Sequence, residues 1–120
     1  MSRNTNFTNQ QLVELIKDLK RSAIEQKVKI WKAIASELER PRRIRRVVNL
    51  TRINKACKDN ETIIVPGKVL ASGNLDRKLT IAAFSFSEQA IEKINQRGKA
   101  ISIQELLKSN PKGSRVRIIG

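Results

Sequence analysis

Histidine and tyrosine are both absent from this chain of 120 residues, which has a single cysteine. Without histidine, neither a Ser-His-Asp triad nor a Cys-His pair can be assembled. Cys57 cannot form an intrachain disulfide, and one cysteine excludes every zinc site that needs several. We interpret this lone thiol as a small core or surface residue rather than a nucleophile. These absences exclude several common kinds of catalytic and metal-binding site, and no cofactor is expected.

Long apolar segments are also missing. No run approaches the roughly 20 residues that a membrane-spanning helix needs. The N-terminal sequence MSRNTNFTNQQ lacks the apolar centre of a signal peptide. We therefore expect a cytoplasmic protein, or a nucleoid protein of a cell without a nucleus.

Negative charge is scarce in this chain. Lysine and arginine number 25 against 11 acidic residues, which gives a formal net charge of +14. Between Arg40 and Lys58 there is no acidic residue at all. A surface this positive repels itself when the protein is alone. The composition therefore predicts a polyanionic partner, either nucleic acid or an acidic membrane.

The densest positive charge lies in the segment LERPRRIRRVVNL, where five arginines fall within residues 40–46. One interpretation is a solvated charged face, but such faces mix signs, as at Lys17-Asp18. The planar guanidinium of arginine suits phosphate oxygens and stacks on bases. Pro41 disfavours helical geometry around it. We therefore predict a loop that follows a phosphate backbone.

The N-terminal third has the periodicity of two helices. Thr8 and Gln11 have capping-box spacing at the start of the first helix. Its apolar face is predicted from three- and four-residue steps at Leu12, Leu15, Ile16, Leu19 and Ala23. The second helix has the same pattern at Val28, Trp31, Ile34, Ala35 and Leu38, and should end near residue 39 or 40. On this face Trp31 is expected to anchor the core rather than stack on a base.

The rest of the chain alternates between strand and helix patterns. Strands are predicted at residues 46–50, 62–65, 79–84 and 115–119, with shorter extended segments at 68–71 and 99–101. Pro66-Gly67 should mark a bend or a strand edge. Helices are predicted at residues 52–58, capped by Thr51, and after two capping boxes that begin at Ser85 and Ser102, with Gly98 as a left-handed C-cap. We predict an α/β protein with one domain: an arm at residues 1–6, helices at 7–40 and an α/β body at 41–120.

Further basic residues are weaker candidates for phosphate contacts, because each alone is expected to be solvated. They are Lys55, Lys58, Lys68, Lys78, Lys108, Lys112, Arg115 and Arg117. The turn Lys112-Gly113-Ser114-Arg115 is the best of them, because its glycine allows the backbone to approach a phosphate closely.

Three other recognition modules fit the sequence less well. Pro66-Gly67-Lys68 lacks the upstream glycine and the Ser/Thr of a nucleotide-hydrolase loop. Phe84 and Phe86 do not alternate with basic residues as in an aromatic RNA-stacking sheet. A helix-turn-helix made by the first two helices stays open, although their outer faces carry both signs.

Several sequence blocks occur in a specific order. They are LERPRR at residues 38–43, VNL at 48–50, VPGKVL at 65–70, Ala82-Ala83, Phe86-Ser87, NPKGS at 110–114 and Val116-Arg117-Ile118. This order resembles the archaeal and eukaryotic large-subunit ribosomal protein family L18e, which is related to bacterial ribosomal protein L15. The resemblance covers nearly the whole chain, and the short length is similar to archaeal members.

The resemblance implies an irregular superhelix of β-β-α units behind N-terminal helices, and a structural role on large-subunit ribosomal RNA. By motif, it implies RNA contacts for Arg40, Arg42, Arg43, Asn49, Lys68 and Lys112. The charge pattern adds Arg45, Arg46, Arg52, Lys55, Arg115 and Arg117 to the predicted RNA-binding set. Residues 44–47 are more basic than the family pattern, and Ala71 stands where glycine is common.

We therefore predict a structural protein of the large ribosomal subunit that binds ribosomal RNA by phosphate neutralisation and shape. The expected partners are this RNA and neighbouring ribosomal proteins, with no membrane and no small-molecule substrate. A nucleoid or chromatin DNA-binding protein is the alternative that composition alone leaves open. An RNA-modifying enzyme would need a catalytic or cofactor constellation, and the sequence shows none, so no enzymatic activity is expected.

Overall fold

The two amphipathic segments near the N-terminus fold as helices in the computed structural model, which describes residues 9–41 and 46–120. Helix α1 spans Asn9–Gln26 and α2 spans Ile30–Leu38, as the apolar periodicity predicts. Lys27, with a φ of 55°, lies between them. The arm at residues 1–6, the cap at Thr8, and Arg42, Arg43 and Arg45 lie outside the described residues.

Five strands among the described residues pair in parallel in one sheet. Their bounds are β1 Arg46–Asn49, β2 Thr62–Leu70, β3 Thr80–Phe86, β4 Lys99–Ser102 and β5 Val116–Ile118. The path runs β1-β2-β3-β4. Strand β5 pairs with the start of β2 and β1 pairs with its end, on the side of β2 away from β3. The short strands β1 and β5 therefore follow one another along the same edge of the sheet.

Three further helices complete the described part of the chain: α3 Leu50–Ala56, α4 Glu88–Asn95 and α5 Ile103–Ser109. One core joins the sheet to α3 and α4, and the other joins it to α1, α2 and α5. Parallel sheets are normally covered on both faces in this way, because their strands are apolar throughout. The predicted α/β class and the helical N-terminal extension are confirmed. The single-domain boundaries stay a prediction.

Helix starts follow the sequence signals in one case and depart from them in two. The capping box of Ser102 and Glu105 is confirmed at α5. Helix α3 begins earlier than predicted, with Asn49 at its N-cap position. The predicted cap Thr51 instead lies inside α3 and donates its hydroxyl to the carbonyl of Ser72 at 3.2 Å. At α4 the cap is Ser87, whose hydroxyl accepts from the amide of Ala90, so the box predicted from Ser85 is wrong.

Gly98 is not the left-handed C-cap that the sequence predicts. Helix α4 ends at Asn95 with Gln96 as its C-cap, and only Gly73 and Gly113 have positive φ among the described glycines. A Cβ on Gly98 would lie 1.9 Å from the carbonyl oxygen of Leu79. Glycine is therefore required there by the close approach of two backbones and not by its φ.

Strand β2 continues through Pro66-Gly67, where the sequence predicts a bend or strand edge. Its pairing with β3 shifts register between Val65 and Lys68, so the segment behaves as a bulge inside one long strand. A bulge accommodates proline because that residue has no amide proton to donate to the ladder. At the last strand, Arg115 has a φ of 59° and precedes β5 instead of belonging to it.

Trp31 anchors the core, as predicted. Its side chain is fully buried, and its indole Nε1 donates to the carbonyl of Pro111 at 2.7 Å. This bond joins the second helix to the turn before the last strand, 80 residues along the chain. Over the described residues, we find no helix that is both long and apolar enough to cross a membrane.

Cys57 is expected to resist thiol reagents while the protein is folded. Its side chain is 2% exposed, and burial raises the pKa of the thiol, with a further rise from the Glu61 carboxylate against an opposing effect of Arg117. Labelling with a disulfide reagent at pH 8 should be slow in buffer and fast in denaturant, because the thiolate is the reactive form. Since the folded pKa is raised, alkaline pH should favour the unfolded state. Rapid labelling in buffer, with circular dichroism unchanged, would contradict this.

Candidate nucleic-acid interface

The arginine run is held at both of its ends by one carboxylate. Glu37, near the end of α2, accepts from Nε of Arg46 at 2.8 Å and lies 3.6 Å from Nη1 of Arg40. Glu39 is engaged elsewhere, with Lys20 at 2.9 Å. The run contains no acidic residue of its own, and the two arginines at its described ends take their counter-charge from the preceding helix. This pairing leaves Arg40 and Arg46 partly exposed beside the sheet edge.

Two predicted RNA-binding residues, Arg46 and Arg52, meet at Gly120, and a third, Arg117, lies in the last strand. Arg52 in α3 donates to the carbonyl of Gly120 at 3.0 Å. The side chain of Arg46 lies against the same residue, where an added Cβ would be 2.1 Å from its Cδ. Arg117 in β5 donates to the carbonyl of Ala56 at 2.7 Å and pairs with Glu61 at 3.2 Å. Arg117 therefore fastens the last strand to the end of α3, besides any contact with RNA.

An open groove of about 610 Å³ lies where β1 runs directly into α3. Its walls are formed by Val47, Val48, Asn49, Thr51, Arg52, Lys55 and Ala56. No carboxylate is among these lining residues, and two cations are. The groove thus brings together three predicted residues: Asn49, Arg52 and Lys55.

The groove also has exposed aliphatic residues that were not among the predicted site residues. Val47 is 60% exposed although it occupies a strand, and Ala56 is exposed at the end of α3. The available signal was the position of Val47, an aliphatic residue directly after the arginine run. Successive side chains of a strand point to opposite faces, and in β1 only Val48 is buried. Val47 therefore faces outward.

Lys68 lies next to this region on the central strand. It pairs in register with Val47 of β1 on one side and with Ser85 of β3 on the other. Its side chain is partly buried. Directly opposite residues on neighbouring strands have adjacent side chains, so Lys68 extends the basic edge across two strands.

The basic turn before β5 is a separate feature. Asn110 closes the turn with two bonds to Ser114: its amide donates to the carbonyl at 2.9 Å, and its oxygen accepts from the amide at 3.2 Å. Gly113, with a φ of 62°, packs against Ile30 and Trp31 at the start of α2. This turn presents the exposed residues Lys112 and Arg115.

The two basic regions are displaced along α2. Ile30 contacts the turn near the start of the helix, whereas Glu37 holds the arginine run near its end. Seven residues of α-helix span about 10 Å. Most of the predicted residues that the structure describes thus fall in two places: a basic edge made by β1, α3 and Lys68, and the turn that carries Lys112 and Arg115. Their contacts with RNA stay a prediction.

Comparisons with known proteins give this surface its context. A family model that describes the ribosomal proteins L15 and L18e of the 50S subunit, together with a relative from the 60S subunit, matches residues 10–102. The chain is 48% identical over 120 residues to the large ribosomal subunit protein eL18 of Methanospirillum hungatei, covering 99% of each chain. It is 50% identical to the protein of the same name from Methanoregula boonei, again covering 99% of each chain. For Haloarcula marismortui the identity is 46% over 112 residues, covering 93% of this chain and 97% of the relative. This protein therefore belongs to the L15/L18e family of ribosomal proteins and is not an enzyme.

Proposed function

We propose that this protein is a structural constituent of the large ribosomal subunit and binds ribosomal RNA through the basic edge. The observation that carries the proposal is the groove between β1 and α3, whose lining includes Arg52 and Lys55 and no carboxylate. Lys68 and Arg46 extend this positive region along neighbouring strands. Phosphates are its natural ligands, because they would supply the counter-charge that the lining lacks.

Family membership favours ribosomal RNA over DNA as the polyanion. The relatives are named as proteins of the large ribosomal subunit, and no observation favours the nucleoid or chromatin alternative. Under this proposal the protein works in the cytoplasm, on the ribosome, beside neighbouring ribosomal proteins. The turn with Lys112 and Arg115, which packs against the start of α2, supplies a second contact.

Binding of the isolated protein to deproteinised archaeal large-subunit ribosomal RNA should fall steeply with salt. Each phosphate contact makes the slope of log K against log salt more negative by about 0.7 to 0.9. Four such contacts on the basic edge would therefore give a slope near −3. Filter binding across a KCl series measures it, with a DNA duplex as competitor. A slope near zero, or tighter binding to the duplex than to the ribosomal RNA, would contradict the proposal.

A further inference from the structure

The groove between β1 and α3 is more than a cluster of cations. The exposed residues Val47 and Ala56 give it an aliphatic surface, while Arg52 and Lys55 give it charge. A purely phosphate-binding surface needs only exposed cations. Its volume of about 610 Å³ lies within the usual range for small-ligand pockets, roughly 300–1,000 Å³. The groove is therefore large enough for a whole nucleotide.

Asn49 adds to this groove a hydrogen-bonding side chain that has no partner among the described residues. It occupies the N-cap position of α3, where an Asn side chain usually accepts from the helix backbone, yet it makes no such bond. Its amide provides a donor and an acceptor side by side. Within the described ranges, Lys55 likewise has no ion pair, so its ammonium group stays available for an anion.

We propose that this groove receives one unpaired nucleotide of the ribosomal RNA. The base packs against the aliphatic surface of Val47 and Ala56, its edge bonds the Asn49 amide, and its phosphate lies at Arg52 and Lys55. RNA offers such nucleotides in loops and bulges, where proteins read splayed bases by stacking and by their edges. An Asn amide matches N6–H and N7 of adenine, so adenine is the favoured base. This inference rests on the proposed function and specifies how part of that surface is used.

An acidic peptide of a neighbouring protein is the competing occupant, since Arg52 and Lys55 would also bind carboxylates. The aliphatic surface and the free Asn49 amide favour the nucleotide, because a carboxylate peptide needs the cations alone. The two occupants are separable, because only a nucleotide makes the groove visible in an RNA footprint.

The test is 2′-hydroxyl acylation of deproteinised archaeal large-subunit ribosomal RNA, with and without the protein. Wild-type protein should protect at least one flexible, unpaired nucleotide. Ala56→Leu narrows the groove without changing charge, and it should remove that protection and weaken binding about tenfold, because the base loses its contact with the aliphatic surface. Ala33→Leu is the matched control, because Ala33 is also exposed on a helix but lies outside the groove lining. It should leave footprint and affinity unchanged.

Asn49→Ala gives a second, smaller change at the same site. It should retain most of the affinity but reduce protection of that nucleotide severalfold, while circular dichroism stays native. The inference is overturned if Ala56→Leu keeps the wild-type footprint, or if the wild-type protein binds the RNA without protecting any unpaired nucleotide, as for an acidic peptide in the groove. Either result leaves the proposed function intact so long as the wild-type protein binds. If the wild-type protein does not bind the RNA at all in filter binding, the proposed function fails, and the inference fails with it.

Discussion

Simultaneous replacement of Arg52, Lys55 and Lys68 by glutamine is expected to weaken binding to large-subunit ribosomal RNA at least about a hundredfold. A well-formed hydrogen bond to a charged group contributes roughly 1.5–3 kcal/mol, and a tenfold loss of affinity corresponds to about 1.4 kcal/mol. Losing three such contacts would exceed a hundredfold effect even if each contact is weaker than a well-formed one. The salt slope should also fall by about 0.7–0.9 for each contact removed. Filter binding across a KCl series measures both quantities.

The choice of these three residues follows from their partners. Arg46 and Arg117 are omitted, because each already pairs with a carboxylate, Glu37 and Glu61 respectively, so their replacement would not report on unpaired charge alone. Within the part of the chain that the structure describes, Arg52 has one side-chain hydrogen bond, to the carbonyl of Gly120, which water can replace. Melting temperature should therefore change little, since Arg52 and Lys55 are exposed and Lys68 is only partly buried, and exposed substitutions usually cost within about 0.5 kcal/mol each.

A matched control removes the same charge from other surfaces. Lys17, Lys32 and Lys99 are exposed on α1, α2 and the opposite sheet edge, and replacing them by glutamine also deletes three positive charges. If net charge alone drove binding, both triple variants would lose affinity equally. If the basic edge binds RNA, the control should retain affinity within a few fold. Equal losses would show that the attraction is diffuse and that the edge is not the contact surface.

Gly67→Ala is expected to destabilise the fold by about 3 kcal/mol or more, at the upper end of overpacking effects. A Cβ at this position would lie 2.0 Å from the carbonyl oxygen of Arg46 and 2.8 Å from its carbonyl carbon. Both are backbone atoms of the paired strand, so β1 must move away from β2. The melting temperature should drop by about 10 °C, which thermal unfolding by circular dichroism would measure.

The same substitution should also weaken RNA binding, because β1 carries one wall of the groove and leads into α3. Gly120→Ala is the control. Its added Cβ meets the side chain of Arg46, which is flexible and can turn aside. That variant should stay within about 0.5 kcal/mol of wild type. A stable Gly67→Ala protein with native RNA affinity would mean that β1 is free to shift at little cost.

Much of the secondary structure can be predicted from the sequence, with element ends correct to within a few residues. The end of α2 and the start of α5 follow from Pro41 and from the Ser102–Glu105 box, because caps act on the nearest turn. The apolar steps predict which faces of the first two helices are buried, and Trp31 lies on one of them. Net charge and the sequence blocks likewise predict a ribosomal protein before any contact is known.

Local signals are weakest where two of them compete. Ser85 and Ser87 both stand near the start of α4, and sequence spacing favours the wrong one. Pairing of β3 with β2 continues to Phe86, so Ser85 belongs to the strand. Ser87 is therefore the N-cap residue of α4. Gly98 resembles a helix C-cap in sequence, but its requirement comes from Leu79 on another segment.

The grouping of the basic residues is decided only by the tertiary structure. Arg117 reaches Ala56 across 61 residues, Arg52 reaches Gly120 across 68, and Glu37 reaches Arg46 across nine. Such contacts depend on strand register and on which helix covers which face of the sheet, and no pattern of neighbouring residues encodes either. The sequence by itself therefore determines that this protein is basic, α/β and ribosomal. The parallel register that places β1 and β5 end to end along β2 determines where its charges meet, because side chains far apart in sequence become neighbours only when the strands that carry them pair.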